Sequence, residues 1–211
     1  MKRIFIQLMV VAGIATGIFA ACNKDTGNNS GNGNGNNDTY TTGSFVIEAT
    51  NVIGGQSKIA TVRAYLSRDL IATGKYEKGG FKIALPDSID SKYLIDAIDF
   101  EEEGLSDENA KFTPLGYLVL LAYDHAGNEI GCFYYSGEKP DESANGFAYY
   151  VFADRNFRIW KTDGDDYVTC NFKKGWNTVY YHNYQFSFGS WSDITTDVNL
   201  DIPMKWQYEE N

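Results

Sequence analysis

Few residues in this chain are spaced for chemistry. The string Gly189-Ser190-Trp191-Ser192-Asp193 lacks the second glycine of a GxSxG elbow, so no serine stands out as a nucleophile. Gly74-Lys75 is followed by Tyr76 where a phosphate-binding loop needs Ser or Thr, and no HExxH occurs. The two histidines, His125 and His182, sit beside a turn and a Tyr with no second ligand nearby, and no CxxC is present. Asp163-Gly164-Asp165-Asp166 could turn oxygens toward Ca²⁺, but without the ligand ladder and distal Glu of an EF-hand it reads as a hairpin turn. The expectation is no catalytic residue, no metal and no cofactor. Carboxylate pairs for glycoside hydrolysis can come from anywhere in a chain, so a carbohydrate-active hydrolase stays open as a second alternative.

Aromatic residues are the other candidates. The 211 residues include 15 Tyr, 13 Phe and 4 Trp, 15% of the chain. Three dyads, Tyr134-Tyr135, Tyr149-Tyr150 and Tyr180-Tyr181, fall in apparent strands, the last flanked by Trp176 and Tyr184. Neighbours in a strand point to opposite faces, so one Tyr of each dyad is expected to face outward. Outward rings from adjacent strands could stack on sugars or anchor a protein partner. The competing reading makes them cross-strand pairs, or rings buried under a second layer.

The first residues have a different purpose. Met1-Lys2-Arg3 is a positive start, Ile4 to Phe19 is mostly apolar, and Ala20-Ala21 closes the run, the layout of an export signal over residues 1–21. No second apolar stretch of about 20 residues follows, so no transmembrane helix is expected in the exported protein. The stretch Phe19-Ala20-Ala21-Cys22 resembles a bacterial lipobox, which implies cleavage before Cys22 and lipidation of its thiol and amine. Each buried CH₂ contributes roughly 0.8 kcal/mol, so two or more acyl chains hold a protein at a membrane stably. Residues 22–43 then form a tether with seven Asn and five Gly and only Tyr40 apolar. Such a coil spans about 25 Å. In an oxidising compartment Cys132 and Cys170 could form a disulfide, or stay two separately buried thiols.

Charge narrows the partners. There are 28 acidic against 18 basic residues, a formal charge of −10, and removal of Lys2 and Arg3 with the leader takes it to about −12. Nucleic acid and anionic headgroups both select basic patches, and only pairs such as Lys173-Lys174 occur. Membrane contact is therefore expected through the anchor alone, with a glycan or another envelope protein as partner and no nucleic acid.

What must position these residues is a β-structure. Residues 45–50, 58–66 and 80–85 alternate apolar and polar, and Pro86 stops the third run. Between Asp87 and Ile98 the apolar spacing predicts one short helix with Asp87 as its N-cap, against a rival loop leading to a strand at Tyr93. The acidic stretch over 99–112 reads as a solvated loop. Hairpins follow over 115–135 and 157–172, with further strands at 147–153, 176–184 and 198–208. Residues 44–211 are expected to make a single domain. The expected fold class is all-β, a mainly antiparallel β-sandwich of roughly ten strands with at most one short helix.

The segments GGFKIALPD (79–87), YVFADR (150–155) and KKGWNTVYY (173–181) resemble stretches of uncharacterised exported lipoproteins of Bacteroidota, and the first is similar to a strand and turn of transthyretin-like or immunoglobulin-like modules. The low-complexity spacer after Cys22 is also similar to those lipoproteins. The resemblance implies an outer-membrane lipoprotein, on the cell surface or on the periplasmic face, without an activity. The expected function is a non-catalytic binding or structural module of the cell envelope. The first alternative is a glycan-binding accessory lipoprotein, which would show an aromatic patch with neighbouring Asp, Asn or Gln.

Overall fold

The computed structural model describes residues 43–100, 104–141, 143–187, 189–198 and 201–211. The expected export signal, Cys22 and nearly all of the tether lie outside them. The described chain is all-β, fifteen strands joined in one mixed sheet. No helix among the described residues is long and apolar enough to cross a membrane.

The alternation read in the sequence is what builds the first half. In β2 (Ile59–Leu66), Val62, Ala64 and Leu66 are buried while Thr61, Arg63 and Tyr65 are half-buried. The first core combines them with Ile47 of β1 (Phe45–Ala49), Ala72 of β3 (Asp69–Glu77) and Phe81, Ile83 and Leu85 of β4 (Gly80–Leu85). Leu118 and Leu120 of β8 (Leu118–Asp124), Phe133 of β9 (Glu129–Glu138), and Trp206 and Tyr208 of β15 (Met204–Glu210) complete it. The strands run β1-β4-β3-β2-β8-β9, all antiparallel. β15 covers the other edge of β9 along Gly131 to Gly137. Just past β1, Ile53 donates its N–H to the Trp206 carbonyl at 2.9 Å and accepts from Tyr208 at 2.9 Å, so the sheet curls until its first strand meets β15.

The second half continues from the far end of β9, where Ala148 of β10 (Ala144–Ala153) pairs with Tyr135. The order is then β10, β13 (Gly175–Phe186), β14 (Gly189–Thr195), β12 (Asp166–Phe172), β11 (Phe157–Asp163) and β6 (Gly104–Leu105). The ladder between β12 and β14 is parallel. β7 (Lys111–Phe112) pairs with β10 and with β5 (Ile95–Asp96). β10 and β13 are a shared wall. Phe152 and Trp176 on one face belong to the first core, and Val151, Ala153, Val179 and Tyr181 on the other to the second, with Phe112, Phe157, Cys170 and Phe172.

Three expectations change. Fifteen strands replace ten, because β3 and β14 and the two-residue strands β5, β6 and β7 are additional. The helix over 87–98 does not form; two 3-10 turns, Ser91–Tyr93 and Ala97–Phe100, stand there with β5 between them. Its apolar residues are divided between cores: Ile89, Tyr93 and Leu94 pack on the first, Ile95 and Ala97 on the second. A chain crossing between two cores reproduces helical spacing without a helix. Nor is Asp87 the cap. Asp90 accepts from the Lys92 N–H at 2.9 Å, whereas Asp87 accepts from the Ser44 N–H and hydroxyl at 2.8 and 2.6 Å. The side-chain bond from Ser44 holds the Asp87 carboxyl below its ordinary range.

Candidate functional site

Pairing alternates along β13, so Tyr180, His182 and Tyr184 share one face. Register extends that face across the neighbouring strands. Gly146 lies beside His182 on β10, Asp193 beside His182 on β14, and Tyr167 beside Asp193 on β12. Tyr184 pairs with Trp191, and on β11 the same face carries Arg158, Trp160 and Thr162 opposite Asn171, Thr169 and Tyr167.

The rings on this face touch in sequence. Tyr184 and Trp191 stack at 4.0 Å between centroids and 10° between planes. Tyr167 meets Trp191 edge to face at 5.8 Å and 89°. His182 meets Tyr184 at 6.3 Å. Such contacts contribute about 0.5–1.5 kcal/mol each beyond burial. Trp160 leans across Gly104, where a Cβ would lie 1.6 Å from the ring, and Arg158 sits 5.3 Å from the Trp160 centroid. Lys139 stands 5.9 Å from the Tyr184 ring at the opposite margin. Tyr167 is 45% exposed and Trp160 39%, so rings reach solvent from the centre of this face to its outer strand.

One polar pair lies beneath them. His182 is fully buried, and neither ring nitrogen has a hydrogen-bond partner among the described residues. Its Nδ1 lies 3.6 Å from Asp193 Oδ2, and Asp193 keeps a quarter of its side chain in solvent. Gly146 makes the room: a Cβ there would stand 3.0 Å from the imidazole Cδ2 and 3.3 Å from Met204 Sδ. The arrangement places an acceptor-only carboxylate, when ionised, between two aromatic surfaces, suited to receiving hydroxyl or amide hydrogens from a ligand stacked above.

Of the residues singled out in the sequence, Tyr184 lies in this ribbon and the others fall elsewhere. Trp176 and Tyr181 are buried, one in each core, and Tyr134, Tyr135, Tyr149, Tyr150 and Tyr180 are half-buried. No member of the three dyads stands fully outward. Tyr150 packs on the first core and Tyr149 on the second, so the shared wall has a core on each side. Burial pushes the Tyr149 phenol up to about 12 and raises Tyr150 as well. Only Tyr180 borders the exposed ribbon, through its ring contact with His182 at 6.1 Å. The missed members, Tyr167, Trp160 and Trp191, are isolated aromatics in polar strands, YVTC, IWKT and SWSD. Their common signal is alternation with Thr and Asp rather than adjacency.

Cys132 and Cys170 are not bonded to each other. Cys170 is a free thiol buried in the second core, its Sγ 3.6 Å from the Ile194 carbonyl. Cys132 is four strands away on β9, about 19 Å along the sheet at roughly 4.8 Å per strand. Burial pushes the Cys170 thiol up to about 12, which keeps it protonated and unreactive. Among the described residues, no three His, Cys, Asp or Glu side chains converge as metal ligands. Gly164 and Asp165 form the β11–β12 turn. No family model, no curated protein and no solved structure matches the chain.

Proposed function

We propose that this protein is a lipid-anchored binding module of the outer membrane, non-catalytic, held through Cys22 and displayed on its Asn- and Gly-rich tether at the cell surface or the periplasmic face. Recognition takes place on the aromatic face of β11 to β14. The observation that carries this reading is the contiguous ribbon Tyr184-Trp191-Tyr167, whose outermost ring is nearly half exposed. Aromatic rings with polar tips supply contact area at little conformational cost and are enriched at recognition surfaces. The two cores flanking the β10–β13 wall further support describing the fold as a layered β-sandwich.

The test has two arms in one strain. Cys22→Ser should move the protein out of the membrane fraction. A photoreactive phenylalanine analogue at position 167 should crosslink to an envelope component, while the same analogue at position 117, another exposed Tyr, should not. Equal crosslinking from both positions, or none from 167, would refute the binding face. A Cys22→Ser protein that stays membrane-bound would refute the anchor.

A further inference from the structure

The rings of β11, β12 and β14 are interleaved with hydroxyl, carboxamide, carboxylate and guanidinium groups: Thr162, Thr169, Asn171, Asp193 and Arg158 share their face. Among the described residues of these three strands, the face carries no aliphatic side chain; Val168, Ile194 and Ile159 all point to the second core. A protein partner is held by an apolar patch centre that excludes water. This face offers separated rings with a hydrogen-bonding group beside each. A sugar ring has the matching chemistry, an apolar C–H face for the aromatic ring and hydroxyls at its rim for the polar neighbours.

Charge points the same way. Among the described residues of β11, β12 and β14 the face carries one carboxylate, Asp193, and one guanidinium, Arg158, with the Lys139 ammonium at its margin, within a chain of net charge −10. A polyanion would meet the repulsion of the whole molecule, whereas a neutral ligand meets none. From Tyr184 on β13 to Trp160 on β11 the ribbon crosses four strands, about 14 Å, enough for about three linked rings.

We infer that the Tyr184-Trp191-Tyr167-Trp160 face binds a neutral oligosaccharide by ring stacking, with Asp193 accepting hydroxyl hydrogens. This rests on the binding-face reading above and adds the ligand class.

The experiment uses the full chain in detergent micelles, screened against immobilised hexasaccharides of β-glucan, α-glucan, mannan, xylan and N-acetylglucosamine, with polygalacturonate as the polyanion. Isothermal titration with the best neutral hexasaccharide follows. Tyr167→Ala and Trp160→Ala should each weaken binding by about tenfold, the loss of one stacked ring. Asp193→Asn should weaken it too, and Tyr117→Ala should leave it unchanged. Both ring side chains are partly exposed, so each variant should still unfold in one cooperative transition well above the titration temperature, which separates loss of binding from loss of fold. Failure of every neutral hexasaccharide, binding of polygalacturonate alone, or binding insensitive to the ring variants would overturn the inference. If crosslinking from position 167 persists while no hexasaccharide binds, the ligand class falls and the binding face stands. If both are absent, both fall.

Discussion

Replacing Trp206 by alanine should destabilise the protein by about 4 kcal/mol, within the range for a buried Trp truncated to Ala. Its indole packs on Phe81 at 5.1 Å and Tyr135 at 5.2 Å, joining β4, β9 and β15. Its Nε1 donates to the Glu48 carbonyl at 3.1 Å, a bond with a net contribution of about 1 kcal/mol. Burying a ring of this size removes roughly 150–250 Å² from water, about 4–6 kcal/mol at 25 cal/mol per Å² and an upper estimate. Trp206→Phe keeps most of the ring contacts and loses the donor, so about 1–2 kcal/mol is expected. The assay is urea unfolding followed by far-UV circular dichroism. With m near 2 kcal/mol per M, Trp206→Ala should lower the midpoint by about 2 M and Trp206→Phe by less than 1 M, with m unchanged. A shift below about 0.5 M for Trp206→Ala would mean that β15 is not integral to the first core.

Three further outcomes are expected. Thr113 is fully buried, and its Oγ1 accepts the Phe152 N–H at 3.0 Å; Thr113→Val should cost about 1–3 kcal/mol in the same assay by orphaning that donor, and a neutral result would show that Phe152 finds another acceptor. Gly104→Ala should drive the Trp160 ring off its seat and red-shift tryptophan emission, and an unchanged spectrum would contradict the packing. Cys170 and Tyr149 are both raised to about 12 by burial, from ordinary values of 9.0 and 10.0. The folded state therefore keeps protons that the unfolded chain releases. Stability resting on their neutrality is complete below about pH 9 and is lost as pH climbs toward 12. The urea midpoint should fall over that window, less so in Cys170→Ala, and a flat profile would count against the burial of both groups.

The strands with strict alternation were legible in the sequence, because one buried face imposes a period of two whatever lies on the other side; β2 and β4 are the plain cases. β14 was not legible, since its SWSDIT stretch buries Ser192, Ile194 and Thr195, two of them polar. β3 was hidden differently: Gly74 lies where a Cβ would meet the Lys82 carbonyl at 2.3 Å, and the glycine breaks the visible pattern of Ala72 and Tyr76. For the dyads of β10 and β13 the reading as rings buried under a second layer holds, because outwardness presumes one solvated face, and the β10–β13 wall has none along Val151 and Phe152. The ribbon itself needed register. Tyr167, Trp191 and Tyr184 belong to three strands, two of them paired in parallel out of chain order. No local pattern reports such a neighbourhood.

The position of β15 also has a consequence for how the protein is made. Trp206 and Tyr208 complete a core whose other walls come from β1 to β4, β8, β9, β10 and β13, yet β15 follows every other described strand along the chain. A growing polypeptide therefore carries its first hydrophobic cluster unsealed until residues 204–210 have emerged. Contacts of such long sequence separation are slow to form. Until then Phe81 and Phe133 lack the Trp206 and Tyr208 rings that pack on them. Products cut short before β15 would keep that exposure permanently, which leaves them open to proteolysis.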